Sequence, residues 1–240
     1  IVLSIAISLK YRHNKNSTYH PEWSHNTMLE IVWWTIPIIL VSILAFLTWK
    51  SSHELDPYKP LVSDEKPVRI QVISLPWKWL FIYPEYGVAT INFIQFPVDV
   101  PVNFEITADS PMNSFFIPQL GSQIYAMNGM QTKLHLMANH AKDYRGISAN
   151  YSGAGFSGMK FVARASTKEE FEAWVKDVKN SNNPLSWKLY QEIAEPSQNE
   201  LWQVFSTAEE GIYMKVMNKY MMEGHGSHTH NNKNIHEHNH

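Results

Sequence analysis

Cysteine is absent from all 240 residues. That absence removes disulfides, thiolate zinc sites, iron–sulfur clusters, covalently attached c-type haem and any thiolate-bridged copper site. A domain without disulfides has to rest on its hydrophobic core, and a chain of this length can bury one. A strong charge of either sign is also missing. Twenty Lys and Arg stand against 22 Asp and Glu, for a formal net charge of −2. With no basic stripe, nucleic acid is excluded as a partner.

What the chain has in quantity is aromatic and apolar residues, spread unevenly. Aromatics reach 13%, with nine Trp, a level that fits membrane-interface belts or a β-rich core. The run Ile31–Trp49, IVWWTIPIILVSILAFLTW, holds 19 residues without one charge. A helix of that length crosses a hydrocarbon layer of ~30 Å. Trp33 and Trp34 near one end, and Trp49 with Lys50 at the other, sit where interfacial anchors do. A buried core helix is the weaker reading, because soluble helices of this length seldom lack a charged position. Pro37 lies in the second turn, where it can kink the span without ending it.

A second apolar run, Ile1–Leu9, opens the chain and reads as the end of a longer helix. The expectation is a transmembrane helical hairpin whose first helix is truncated, with any leader peptide or lipid-bearing cysteine lying upstream. The loop between the runs carries Lys10, Arg12 and Lys15 against Glu22. After the span come Glu54, Asp56, Asp64 and Glu65 against Lys59 and Lys66. The positive-inside rule then predicts the loop in the cytoplasm and everything after Lys50 outside.

From Val68 to about Arg164 the periodicity is that of strands. VRIQVIS, WKWLFIY, VATINFIQF, VNFEIT and KLHLMA alternate or run apolar and are rich in β-branched and aromatic residues. Pro84, Gly87, Pro97, Pro101, Pro111, Gly121 and Gly129 punctuate them at the spacing of a Greek-key sandwich. The period then changes. Thr167 and Glu170 form a capping box ahead of Phe171, Trp174, Val175 and Val178, an apolar face at helical spacing. Further helices are predicted at Trp187–Ile193 and Ile212–Met222. The division is a membrane hairpin over 1–50, an extracytoplasmic β domain over 51–165, a helical extension over 166–223 and a His-rich tail over 224–240. That tail holds His225, His228, His230, His236, His238 and His240. A solvated low-complexity segment is the favoured reading of it, with metal sequestration by imidazoles the alternative.

Two segments carry the chemistry of the case: MNSFFIPQLG, Met112–Gly121, and ISANYSGAGFSGMKF, Ile147–Phe161. They resemble the copper-site loops of subunit II of the haem–copper oxidases, whose domain is a cupredoxin-like Greek-key sandwich. In that family the first loop supplies a His, and the second runs Cys-x-x-x-Cys-x-x-x-His-x-x-Met with Glu in the first gap. The resemblance lays the first His on Asn113, the bridging Cys on Ser148 and Ser152, the Glu on Asn150, the second His on Phe156 and the Met on Met159. Only Met159 keeps a ligand type. A mixed-valence copper pair needs two soft bridging sulfurs with imidazoles completing each metal. The expectation is therefore a copper site that is vestigial, with no metal and no catalytic residue in this chain.

That pattern is similar to subunit II of the bo-type ubiquinol oxidases. YHPEWSH, IVWWTIP, TWKSSHELDPYKPLVSDEKP, SLPWKWLFIYPEYG and GSQIYAMNGMQTKLHLMAN keep the family's order across most of residues 10–222. The resemblance implies partners: a haem-bearing subunit I, a subunit III, a small further subunit and membrane lipid. It implies no cofactor in this chain, with haems and copper in subunit I, where ubiquinol is oxidised, O₂ reduced to water and protons pumped. It implies a bacterial inner membrane, crossed more than once, with the C-terminal domain in the periplasm. Glu30, at the start of the long helix, is by itself a residue favoured by the helix dipole. The resemblance makes it a candidate for proton uptake into subunit I. Trp77 and Trp79 read as aromatics packed in a strand-rich core. Met112, Met127, Met130, Met137 and Met159 read as core filler. Two other readings compete: a membrane-anchored periplasmic copper-binding protein, and subunit II of a menaquinol oxidase.

Overall fold

The computed structural model describes residues 1–12, 25–63 and 65–226, with side chains through Tyr220. Lys15, Glu22, Asp64, most of YHPEWSH and the tail histidines from His228 onward lie outside the described residues, as does the side chain of His225. The chain divides into two compact units, Ile1–Leu55 and Asp56–His240.

The first unit holds helix α1, Val2–Tyr11, and helix α2, Thr27–Glu54. Asn26 starts α2, its Oδ1 accepting the backbone N–H of Leu29 at 3.1 Å. The helix runs 28 residues, about 42 Å at the standard rise. It continues past the expected end at Trp49 to Glu54, because Lys50, Ser51 and Ser52 are compatible with helix and no breaker precedes Leu55. Pro37 does not end it. Thr35 Oγ1 and Ser42 Oγ donate to the carbonyls of Ile31 and Ile38 at 2.5 and 2.8 Å, so neither hydroxyl is left unpaired on an apolar surface. Among the described residues α2 alone is long and apolar enough to cross a membrane. The expected hairpin is represented by this one full span and the ten-residue α1.

The second unit is a β-sandwich with helices added at its C-terminal end. Its strands are β1 Val68–Leu75, β2 Lys78–Tyr83, β3 Val88–Ile91, β4 Phe93–Pro97, β5 Val102–Ala108, β6 Asn113–Phe116, β7 Ile124–Ala126, β8 Thr132–Leu136, β9 Lys142–Ser148 and β10 Lys160–Ser166. After them come α3 Lys168–Lys179, β11 Pro184–Leu185, α4 Trp187–Ile193, β12 Gln203–Phe205, β13 Thr207–Ala208 and α5 Ile212–Gly226. One sheet has the order β12-β3-β2-β1-β5-β8 and the other β4-β10-β9-β6-β7. In the first, β1 lies antiparallel to β2 and parallel to β5; in the second, β4 lies parallel to β10. The sandwich expected from the strand periodicity is borne out, as is the mostly β domain with C-terminal helices that the resemblance implies.

Two apolar layers hold it together. Ile70, Val72, Trp79, Phe81, Phe104, Phe115 and Phe161 fill the space between the sheets. Ile73, Leu75, Leu80, Ile82 and Ile91 project from the other face of the six-stranded sheet and are covered by Leu185, Tyr190, Ile212, Tyr213, Val216 and Met217. This double cover is why β2 is buried at every position and reads as an unbroken apolar run. The capping box of α3 forms in both directions, Glu170 N–H to Thr167 Oγ1 at 3.2 Å and Thr167 N–H to Glu170 Oε2 at 3.0 Å. It aims Phe171, Val175 and Val178 into the inter-sheet core.

Several expectations need correction. VATINFIQF is two strands in different sheets: β3 pairs with β2, and β4 with β10. Asn92 makes the break, at φ +55, a conformation Asn tolerates better than most residues. Its Oδ1 accepts Trp79 N–H at 2.9 Å, and its Nδ2 donates to Glu200 O at 3.0 Å. The C-terminal extension is not wholly helical, since β12 adds an edge to the six-stranded sheet and β11 pairs with β13. Elements also cross the expected boundaries at 50, 165 and 223: α2 reaches Glu54, β10 Ser166 and α5 Gly226. Of the five methionines singled out, Met159 is buried, Met127 and Met137 are half-buried, and Met112 and Met130 are exposed.

Asn92→Ala removes both side-chain bonds and leaves a β-carbon at positive φ. It should lower the unfolding free energy of the soluble unit by about 2–4 kcal/mol, read by chemical denaturation of residues 56–226. A loss below half a kcal/mol would show that Asn92 does not hold the two sheets in register.

Candidate functional site

The two loops singled out in the sequence meet at one end of the sandwich. Asn113 opens β6 and Ser148 closes β9, and the neighbouring pair Phe115 and Ser148 are partners across the sheet. Asn113 is fully buried and Ser148 nearly so. The Ser148 hydroxyl donates to Asn113 Oδ1 at 2.9 Å. Asn113 Nδ2 donates to Ser110 Oγ at 3.1 Å and to Pro111 O at 2.8 Å. Ser110 Oγ lies 3.1 Å from Ser74 Oγ on β1. The result is a buried string, Ser148–Asn113–Ser110–Ser74, in which hydroxyls and one carboxamide satisfy one another.

The remaining positions stay on the second loop. Asn150 Nδ2 donates to Met112 O at 3.0 Å, tying this loop to the residue before Asn113. Ser148 N–H donates to Met159 O at 3.2 Å, which closes the loop at its base, and the Met159 side chain is packed in the core. Phe156 begins a single 3₁₀ turn, Phe156–Gly158, and its ring stands edge-on to Tyr151 at 5.6 Å. Ser152 Oγ is buried with no hydrogen-bond partner. Thus Asn113 and Ser148 are joined directly and Asn150 through the backbone, while Ser152 and Phe156 have other neighbours. The six positions offer two hydroxyls, two carboxamides, a phenyl ring and a thioether. None is a thiolate or an imidazole, and Asn113, Ser148 and Asn150 are already hydrogen-bonded. This donor set does not suit a soft binuclear metal. Among the described residues no group of three or more His, Asp or Glu gathers as metal ligands do.

Trp77 covers this loop and is not the strand residue expected. It is the second residue of the two-residue turn joining β1 to β2, with Leu75 paired to Lys78, and it sits at φ +64. A bulky residue there is strained. The turn directs its Nε1 to Ser152 O at 3.0 Å, and its ring lies so close to Gly155 that a β-carbon would fall 2.4 Å from it. Only glycine fits at 155. Trp79, by contrast, is a core residue packed edge-on against Phe115 and Phe161 at 5.4 and 5.9 Å.

Beside the string lies a charged cluster that sequence reading missed. Asp109, its side chain 4% exposed, accepts Tyr190 OH at 2.7 Å, Lys219 Nζ at 2.7 Å and Tyr220 OH at 2.5 Å. Its backbone N–H donates to Ser74 O at 2.8 Å, on the same serine that ends the string. Burial would raise the Asp109 carboxyl, but the bonds from Lys219, Tyr220 and Tyr190 outweigh it and hold its pKa below the usual range. Burial and then the Asp109 carboxylate push the Tyr190 hydroxyl well up. No local pattern marks these residues, because the three donors lie 81 to 111 positions from Asp109.

The comparisons with known proteins bear on this end of the molecule and on the whole chain. Residues 179–224, which include Trp187, Tyr190, Trp202, Phe205, Tyr213 and Tyr220, match the COX Aromatic Rich Motif family. Over 231 residues the chain is 52% identical to cytochrome bo(3) ubiquinol oxidase subunit 2 of Pseudomonas putida, covering 95% of this chain and 74% of that one. The chain belongs to that family. A quinol oxidase subunit 2 of Bacillus cereus is 40% identical over 197 residues, covering 81% of this chain and 68% of that one. The periplasmic domain of subunit II of cytochrome oxidase (CoxB) of Bradyrhizobium japonicum is similar at 19% identity, over 50% of this chain and 98% of that one, with a TM-score of 0.47. In this oxidase subunit the family motif coincides with α4, β12, β13 and α5, the segment that Asp109 fastens to the sandwich.

The depressed carboxyl fixes the sign of a pH effect. Stability from Asp109 is fully present above its unfolded value near 3.8 and is lost as pH falls through the lower folded value. Asp109→Asn should cost about 1.5–3 kcal/mol at neutral pH and flatten the acid limb of the unfolding curve. An acid limb unchanged in the variant would assign that limb to other groups.

Proposed function

We propose that this chain is the membrane-anchored second subunit of a quinol-oxidising haem–copper oxidase, and that its own domain carries no binuclear copper centre. The observation that carries the reading is the donor set of the two loops. Asn113, Ser148, Asn150, Ser152 and Phe156 supply no soft or imidazole ligand, and Met159 is packed among core residues. A subunit built this way cannot relay electrons from a water-soluble donor through bridged copper. A quinol dissolved in the bilayer removes that need, because it reaches the partner subunit directly.

In this reading α2 anchors the subunit in the bacterial inner membrane, and the sandwich lies on the periplasmic side. The excess of basic residues before α2 supports that orientation. A haem-bearing subunit I holds the haems and copper, oxidises ubiquinol, reduces O₂ to water and pumps protons; subunit III and a small further subunit complete the complex with lipid. Ubiquinol is favoured over menaquinol because identity to the named ubiquinol oxidase subunit exceeds identity to the Bacillus cereus quinol oxidase subunit. The subunit's own roles are assembly and, through Glu30, proton uptake. Glu30 is the acid in the first turn of α2 and one of the few charges on that helix. Carboxylates at a membrane edge, on a helix packed against a proton-consuming subunit, often mark a proton path.

The purified complex should consume oxygen with a short-chain ubiquinol and not with reduced cytochrome c as sole donor. It should show no near-infrared mixed-valence band from this subunit once residues after Gly224 are removed. Sustained turnover with cytochrome c would refute the proposal. Glu30→Gln, which keeps the shape of the side chain but carries no exchangeable carboxyl proton, should slow turnover several-fold at normal haem content. A role limited to the helix dipole would cost at most about 1 kcal/mol of stability and leave turnover intact.

A further inference from the structure

The six-stranded sheet is covered on both faces, but the five-stranded sheet leaves part of its outer face bare. On β10 the side chains of Phe161, Ala163 and Ala165 enter the core, so Lys160, Val162 and Arg164 alternate outward and are exposed. Arg145 of β9 is the partner of Val162 across the sheet. Beside these strands the segment before β12 raises Leu201 and Trp202, 80% and 62% exposed. Between segment and strands lies a groove of about 430 Å³, its lining mainly apolar and its two cations Arg145 and Lys160.

The far wall of the groove is fixed in place. Asn92 Nδ2 holds Glu200 O at 3.0 Å, Lys78 donates to Ser197 Oγ, and the Trp202 ring lies against Phe93 with centroids 5.6 Å apart. Two large apolar residues in succession are thus kept in water by an anchored segment, which forgoes the stability their burial would give. The charges are unbalanced too. Of the two acids in the groove, Asp143 is engaged by the Arg164 guanidinium at 2.7 and 2.9 Å, and Glu200 remains. Arg145 and Lys160 have no ion-pair partner among the described residues. The groove therefore sets two unpaired cations against one unpaired acid, beside an exposed apolar wall.

We propose that this groove binds an anionic phospholipid of the membrane that anchors the chain, with the phosphate at Arg145 and Lys160 and the Leu201–Trp202 pair in the leaflet beside it. Trp and Leu settle at the boundary between headgroups and acyl chains, and Lys and Arg reach phosphates there on apolar stems. A second copy of the chain fits less well, because a two-fold contact would set Arg145 and Lys160 against their own equivalents. A peptide strand fits less well, because β10 is hydrogen-bonded on both sides and offers no open backbone. A lipid needs no open backbone, and membrane anchoring keeps a bilayer close to the domain. The inference requires an anchored chain and is independent of which donor the oxidase uses.

The lack of cysteine in the chain permits a single reporter. Leu201→Cys carrying a nitroxide is built into the purified complex, which is reconstituted in phosphatidylcholine vesicles with and without phosphatidylglycerol. The parent complex, treated with the same label, supplies the background to subtract. Collisions of the nitroxide with O₂, which concentrates in lipid, and with a water-soluble nickel chelate report its surroundings. The ratio of O₂ to nickel collisions should rise several-fold when phosphatidylglycerol is present, and Arg145→Glu with Lys160→Glu should abolish the rise. Where charge reversal prevents assembly, judged by haem content, Arg145→Gln with Lys160→Gln should weaken it. A label open to nickel in both kinds of vesicle would place Leu201 in water and overturn the inference. A label shielded from both reagents would place it against a protein partner and overturn it as well. A rise that survives loss of both cations would show that they hold no phosphate, and the site would fall.

Discussion

Strands β1 and β2 carry large apolar side chains on both faces, and every other part of the soluble unit answers to that. On one side Ile70, Val72, Trp79 and Phe81 require a second sheet; on the other Ile73, Leu75, Leu80 and Ile82 require a further cover. A lone sandwich would leave the second set in water, at a cost that grows by about 25 cal/mol for each Å² exposed. The C-terminal extension supplies that cover through Leu185, Tyr190, Ile212 and Val216. The Asp109 cluster then fixes where the cover sits, because a buried carboxylate tolerates little displacement from its three donors. Burial drives the docking, and the directional bonds choose its register.

The end of the sandwich with the two loops is held together by polar groups that satisfy one another. Ser148, Asn113, Ser110 and Ser74 form a closed polar string in an otherwise apolar surrounding. Each hydroxyl or amide left unpaired there would cost on the order of 1–3 kcal/mol. Mutual satisfaction removes most of that cost, and Ser152 Oγ is the one hydroxyl of the set that goes without. Trp77, held at positive φ over Gly155, closes the loop from outside. The strain at Trp77 is offset by its bond to Ser152 O and by the contact of its ring with the glycine-lined loop. These contacts link the string, the loop and, through Ser74 and Asp109, the C-terminal extension into one network.

The membrane helix obeys a different solvent. Its surface carries no buried residue within its own unit, and its apolar run is continuous from Ile31 to Trp49. Hydroxyls within that run fold back onto the preceding turn, as apolar surroundings demand. Charged and titratable groups are confined to its ends: His25 and Glu30 at one, Lys50, His53 and Glu54 at the other.

Local signals in the sequence determined a good deal. The period-2 strands, the long uncharged run, the capping box at Thr167 and the helices at Trp187 and Ile212 depend on neighbours within a few positions, and the backbone responds to those neighbours directly. The donor types at 113, 148, 150, 152, 156 and 159 were equally legible, since side-chain chemistry does not wait for folding. Tertiary structure alone decided the rest. Asn92 splits one apparent strand between two sheets because a positive φ is chosen by packing on both sides of it. Trp77 leaves its strand for a strained turn because a glycine loop about 75 residues away makes room for its ring. Asp109 gathers Tyr190, Lys219 and Tyr220 from more than 80 positions away because only the covered sheet face brings them within reach. Local pattern sets what each segment prefers, but a buried polar group takes its partners from whatever the fold places beside it, and that is a property of the whole.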